Sequence, residues 1–138
     1  MSLMKIKVKR FNKNIPLPIY NSRAACFDMK CRETVVIPPH ELRPIHQNVA
    51  IQVPDGFALL LFSRSSTPIL KGLILANGVG VSDPYRDGDN DEQIAYFLNV
   101  TDKPVIVGAG DRLVQGMIIK SEAVEWSESD VLNSNRNG

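Results

Sequence analysis

Cysteine is scarce in this chain: two residues, Cys26 and Cys31, among 138. A zinc site needs two further Cys or His ligands at matching spacing, and His40 and His46 do not supply them. The thiols therefore read as ordinary buried or half-buried side chains, and residence in the cytoplasm follows. No run of 18 apolar residues exists and nothing resembles a signal peptide, so no feature points to a membrane. An excess of one charge is also missing. Lys and Arg number 16 against 15 Asp and Glu, a net charge of +1. That balance gives no general case for binding nucleic acid or a membrane surface. The opening Met-Ser-Leu reads as an expression remnant and is left out of the fold reasoning. There is no internal repeat, low-complexity tract or second-domain boundary. What remains is the size of one domain with a single core.

What is present is a series of short β signals. Residues 4–10, MKIKVKR, alternate apolar and basic, as a half-buried strand does. Leu17–Tyr20 and Cys26–Met29 each extend a short strand. Val35–Ile37 is a strand stopped by Pro38-Pro39. Val49, Ile51 and Val53 alternate up to Pro54-Asp55-Gly56, a strong turn signal. Phe57–Phe62 is a continuous apolar run, short enough for a strand buried on both faces. Pro68 limits Arg64–Lys71 to a helical turn or a short helix. Asn77-Gly78, set between apolar residues, predicts a β-hairpin. Ile94–Val100, Pro104–Val107 and Leu113–Ile119 are further strands, and Val124 with Trp126 forms a last short one. About ten strands with turns at roughly ten-residue spacing mean an all-β sandwich, jelly roll or small barrel. Residues 1–128 are expected to form the domain and 129–138 a mobile tail.

Four clusters carry chemistry. Asp83 stands just after the Asn77-Gly78 turn, where a rigid element can present a carboxylate that activates water; residues 83–91 equally read as a solvated acidic loop. Arg64-Ser65-Ser66 follows an apolar strand and offers a guanidinium, two hydroxyls and backbone N–H groups to an anion, or simply a capped turn. Gly110-Asp111-Arg112-Leu113-Val114-Gln115 is a turn feeding a strand that carries Gln115, which alone would read as surface. Asp28 lies inside the apolar stretch Phe27-Asp28-Met29. There a carboxylate is costly unless it is paired, near a metal, or on the open face of an edge strand.

In this order, the clusters resemble the trimeric dUTPase family over nearly the whole chain. Ala24–Met29 resembles its first motif, Pro54-Asp55-Gly56 with Arg64-Ser65-Ser66 its second, Asn77–Asp83 its third and Gly110–Gln115 its fourth. The resemblance implies a jelly-roll-like subunit of the β-clip type and a homotrimer with active sites at the subunit interfaces. It also implies hydrolysis of dUTP to dUMP and pyrophosphate, with Mg²⁺ on the triphosphate. By position, Asp83 would be the general base, and Arg64, Ser65, Ser66 and Gln115 would hold the phosphates. Asn77, Gly80 and Val81 would lie against the uracil and deoxyribose, and Asp28 would meet the metal through water.

Two places depart from the family pattern. The family's tyrosine lies three residues after the catalytic Asp, where this chain has Arg86; Tyr85 stands one position early and would take the deoxyribose role only if the loop is shifted. The end of the chain, Asn135-Arg136-Asn137-Gly138, resembles only the beginning of the family's fifth motif, with Arg136 as its phosphate-binding Arg. These departures keep open a non-catalytic, dUTPase-like nucleotide-binding or regulatory trimer. A dCTP deaminase-like enzyme shares the Arg-Ser-Ser element, but an Asp in the third motif argues against it.

Overall fold

The computed structural model describes residues 3–84 and 88–133. Within these residues twelve strands run in chain order: β1 (Val8–Arg10), β2 (Ile19–Tyr20), β3 (Phe27–Asp28), β4 (Val35–Ile37), β5 (Leu42–His46), β6 (Val49–Ile51), β7 (Phe57–Ser63), β8 (Leu73–Leu75), β9 (Gly80–Ser82), β10 (Ile94–Asn99), β11 (Val105–Val107) and β12 (Val114–Lys120). The one helical element among the described residues is a π-type turn, Thr67–Lys71. The architecture is all-β, as the spacing of turns and apolar residues requires.

All strand pairs are antiparallel and most join segments far apart in the chain. β3 pairs with β12, β4 with β11 and β5 with β10. Such nested pairing is what results when one long antiparallel ribbon wraps over itself, and it makes the fold jelly-roll-like. The largest sheet has the order β2-β3-β12-β7-β9, and a three-stranded sheet runs β5-β10-β8. Pro44 is tolerated because β5 is an edge strand, where a missing N–H breaks no ladder.

Strand β7 is the spine. Its residues pair in register with β12 from Val114↔Ser63 to Lys120↔Phe57 and with β9 from Leu61↔Gly80 to Leu59↔Ser82. Ala58, Leu59 and Leu61 are buried and the intervening residues half-buried, so the apolar run is covered mainly on one face. Gly116 lets β12 lie close beneath the Phe27 ring, since a Cβ there would meet Phe27 Cε1 at 2.8 Å. Phe97, Met29, Ile37, Ile45, Leu59, Leu73 and Leu113 close a single core with no exposed area to speak of.

Two expectations are corrected. Asn77-Gly78 does reverse the chain, with Gly78 at φ +74° and its N–H on the Leu75 carbonyl. Yet β8 and β9 do not pair with each other: β8 joins β10 and β9 joins β7. The turn is a corner between two sheets, because each arm finds a longer apolar partner elsewhere. Val124 and Trp126 form no strand among the described residues; the segment has no regular secondary structure, and Trp126 is 91% exposed.

Candidate active site

Asp28 organises one end of the large sheet. It is 5% exposed and lies on β3, an interior strand rather than an edge. Its Oδ1 meets Arg64 Nε at 3.1 Å, and its Oδ2 meets Arg112 Nη1 at 3.4 Å. Asn21 Nδ2 donates to the same Oδ2 at 2.7 Å. A buried carboxylate is tolerable when charged and hydrogen-bonding partners surround it in this way. Gln115 is the register partner of Asp28 across β3 and β12, and its Nε2 donates to the Ser63 carbonyl at 3.3 Å. Arg64 also donates to the Arg112 carbonyl. The sheet thus brings Arg64, Gln115 and Asp28 together and adds Arg112 and Asn21. Arg112 stood within the fourth motif without a role. Only the fold, pairing positions 84 residues apart, shows its partner.

Ser65 and Ser66 follow directly. Ser66 precedes the helical turn but makes no side-chain cap, so its hydroxyl does not serve the helix as a capped turn would require. Instead Thr67 Oγ1 donates to the Leu113 carbonyl, tying the turn to β12. Burial and the neighbouring Arg112 lower the pKa of Lys30, with Asp28 opposing the shift. Arg64 and Arg112 thus contact one carboxylate, with Lys30 nearby donating to the Leu17 carbonyl at 3.0 Å, and the ensemble favours an anion.

Asp111 caps its own turn. Its Oδ2 accepts from Gly108 N at 2.8 Å beside Gly110 at φ +88°, which fixes where β12 starts.

Asp83 lies elsewhere. It is exposed and follows β9, whose last residue pairs with Leu59 near the start of β7, whereas Arg64 follows the end of β7. At about 3.3 Å per residue the two positions are roughly 20 Å apart along the strand. Asn77 and Val81 are exposed and Gly80 half-buried on the same limb as Asp83. A Cβ on Gly80 would sit 3.3 Å from Leu61 Cβ, so the glycine allows β9 to press onto β7. A groove of about 370 Å³ between β1, β6 and Gly88–Asp91 touches Pro84 and none of the Arg64 cluster. Within one chain the expected site is therefore two half-sites. Tyr85 and Arg136 lie outside the described residues.

One cluster was not anticipated. Glu92 is 8% exposed and accepts from Arg32 Nε, His46 Nδ1 and Asn48 N, each at 2.8 Å. The acidic run Gly88–Glu92 is thus anchored at its end rather than wholly solvated. Nothing in the local sequence separates Glu92 from the exposed residues 88–90 just before it; its partners come from β5, the β5–β6 turn and the segment after β3.

No group of three or more His, Cys, Asp or Glu able to hold a metal occurs among the described residues. No helix among the described residues is long and apolar enough to cross a membrane.

Comparison with known proteins adds to this geometry. A dUTPase family model matches residues 12–138. The chain is 32% identical over 126 residues to the deoxyuridine 5'-triphosphate nucleotidohydrolase of Lactococcus lactis, covering 89% of this chain and 83% of that protein. Its fold is similar to the crystal structure of the dUTPase from Streptococcus mutans, with a TM-score of 0.79 at 30% identity over 89% of this chain and 100% of that one. It is also similar in fold to a mutant dUTPase from phage phi11 of S. aureus, which coordinates a structural Mg(II) ion, with a TM-score of 0.80 at 22% identity over 94% and 99% of the two chains.

Proposed function

We infer a water-activating role for Asp83 in this chain, which belongs to the dUTPase family and hydrolyses dUTP to dUMP and pyrophosphate. The observation that carries the mechanism is the separation of the two half-sites. Arg64, Arg112 and Lys30 form an anion-attracting cluster at one end of β7, and Asp83 stands exposed near the other. One nucleotide cannot bridge roughly 20 Å of strand and still bring a water between base and phosphate. A second copy of the chain closes the gap by setting its Asp83 limb against the first chain's Arg64 cluster. This reading is a homotrimer with three interface sites, as the resemblance to the trimeric family implies; a heterologous contact whose rotation closes after three copies makes such a ring. Val124 and Trp126, 70% and 91% exposed, offer apolar side chains suited to burial against a neighbouring copy.

In the composite site Asp83 accepts the proton of the attacking water. Arg64, the Ser65 and Ser66 hydroxyls and Gln115 hold phosphate oxygens, so that charge developing on them is stabilised by groups already in place. Asn77, Gly80 and Val81 present backbone and amide groups to the uracil. A cytosine would leave a buried donor or acceptor unmatched there, at about 1–3 kcal/mol per group. Tyr85 covers the deoxyribose, Arg136 reaches the phosphates from the tail at 129–138, and 1–128 is the folded unit.

Magnesium fits as an ion carried by the triphosphate rather than caged by protein. The one carboxylate in the phosphate cluster, Asp28, already has both oxygens engaged and can meet an ion only through water. When bound, the ion neutralises phosphate charge. The cytoplasm is the compartment this substrate implies, and neither nucleic acid nor membrane is a partner in this reading.

The test is pyrophosphate release from dUTP, UTP, dCTP and dTTP with Mg²⁺. Release from dUTP alone is expected. Release from dUTP and UTP together would place the defect at Tyr85 and Arg86, and release from none would favour the nucleotide-binding trimer.

A further inference from the structure

We propose that the hydrogen bond between Ser82 and Gln93 is a latch that positions Asp83; this rests on the reading of Asp83 as the water-activating base. Ser82 Oγ donates to Gln93 Oε1 at 2.8 Å, and both side chains are buried, 3% and 1% exposed. Ser82 ends β9, an outer strand of the sheet as described, bonded on one side to β7. The ladder stops at Leu59↔Ser82, so no strand pairing reaches Asp83. Side chains alternate along a strand: Val81 is exposed, Ser82 buried and Asp83 exposed. Holding Ser82 inward therefore sets the direction in which Asp83 leaves the sheet.

The other end of the latch is rigid. Gln93 N donates to the Val49 carbonyl at 2.8 Å and Gln93 O accepts from Gln47 N at 2.9 Å. Glu92, its neighbour in the chain, is held by Arg32, His46 and Asn48. The Ser82–Gln93 bond thus ties the end of β9 to a corner that is itself fixed. Gln93 keeps an amide here although its Nε2 has no partner among the described residues. An apolar side chain would avoid that burden, so what its oxygen does for Ser82 accounts for its presence. Ser82 is too deeply buried to touch substrate; it acts through Asp83 as a positioning residue.

The experiment compares Ser82→Thr with Ser82→Val, which share a shape and differ in the hydroxyl, and adds Ser82→Ala and Gln93→Leu. A misplaced base loses rate while the binding groups on the other half-site are untouched. Ser82→Val, Ser82→Ala and Gln93→Leu should therefore show kcat about 10²-fold below the parent, with KM for dUTP nearly unchanged. Ser82→Thr should recover most of the rate, and a Ser82→Ala, Gln93→Leu double variant should lose no more than either single one. The pH profile of kcat should keep its shape, since the base is the same. Equal kcat in Ser82→Thr and Ser82→Val, or full kcat in folded Ser82→Ala, would overturn the latch. Asp83→Asn separates the two ideas: retained turnover in that variant overturns the reading of Asp83 itself, whatever the latch variants do.

Discussion

Asp28→Asn isolates the interaction that holds the proposed phosphate-binding half-site in shape. The substitution keeps size and the contact with Asn21 but removes the charge that faces Arg64 at 3.1 Å and Arg112 at 3.4 Å. Removing one member of a fully buried pair costs about 3–5 kcal/mol. The guanidinium side chains here are 28% and 43% exposed, so water takes over part of the lost partnership, and Arg112 in particular contributes little. That places the expected loss at about 2 kcal/mol, or roughly 6 °C in melting temperature for a chain of this size. The assay is urea unfolding of the parent, Asp28→Asn, Arg64→Met and the double variant at one fixed protein concentration, because an oligomer's stability depends on concentration. If the Asp28–Arg64 pair supplies most of the effect, the coupling energy is about 1–2 kcal/mol and the double variant is hardly worse than Arg64→Met. A coupling below about 0.3 kcal/mol would refute the claim that Asp28 fixes Arg64.

Two more perturbations probe the core. Burial pushes the Cys31 thiol from 9.0 up to about 12, with Asp111 adding to the shift. A raised thiol pKa stabilises the fold fully below the unfolded value and is lost as pH climbs through the folded one. Stability should therefore fall by about 1.4 kcal/mol per pH unit between 9 and 12. Cys31→Ala should remove that slope; an unchanged slope contradicts it. At neutral pH half-buried Cys26 should react with iodoacetamide while Cys31 does not. Gly116→Ala would force a methyl against Phe27 Cε1 at 2.8 Å and Leu61 Cδ2 at 3.2 Å, and should cost about 1–3 kcal/mol in chemical unfolding.

The strands of this fold were legible because their signal is local. Alternation in residues 49–53 and the apolar run from Phe57 need no partner to be read. The pairing was not legible. Asn77-Gly78 has the composition of a hairpin turn, yet its two arms enter different sheets, because β7 and β10 offer each arm more apolar area than the other arm could. Trp126 has the composition of a strand residue but finds no strand partner among the described residues. The motifs singled out Arg64, Gln115 and Asp83, of which the fold sets Arg64 and Gln115 beside Asp28 and Asp83 near the other end of β7. They gave no sign that Arg112 and Asn21 complete the shell of Asp28, or that Ser82, Gln93 and Glu92 fasten the Asp83 loop. Those contacts join residues up to 84 positions apart, a distance at which local pattern carries no information.

The central claim is that one catalytic site takes Asp83 from one copy and the Arg64 cluster from another. Complementation tests it directly: Asp83→Asn and Arg64→Ala chains, each inactive alone, are unfolded together, refolded as mixed oligomers and assayed for pyrophosphate release from dUTP. An interface site pairs an intact Asp83 with an intact Arg64 in about one quarter of random combinations, so activity should return to roughly that fraction of the parent's. Activity no greater than the sum of the two variants would mean that both residues serve the same site from the same chain, and would contradict the account.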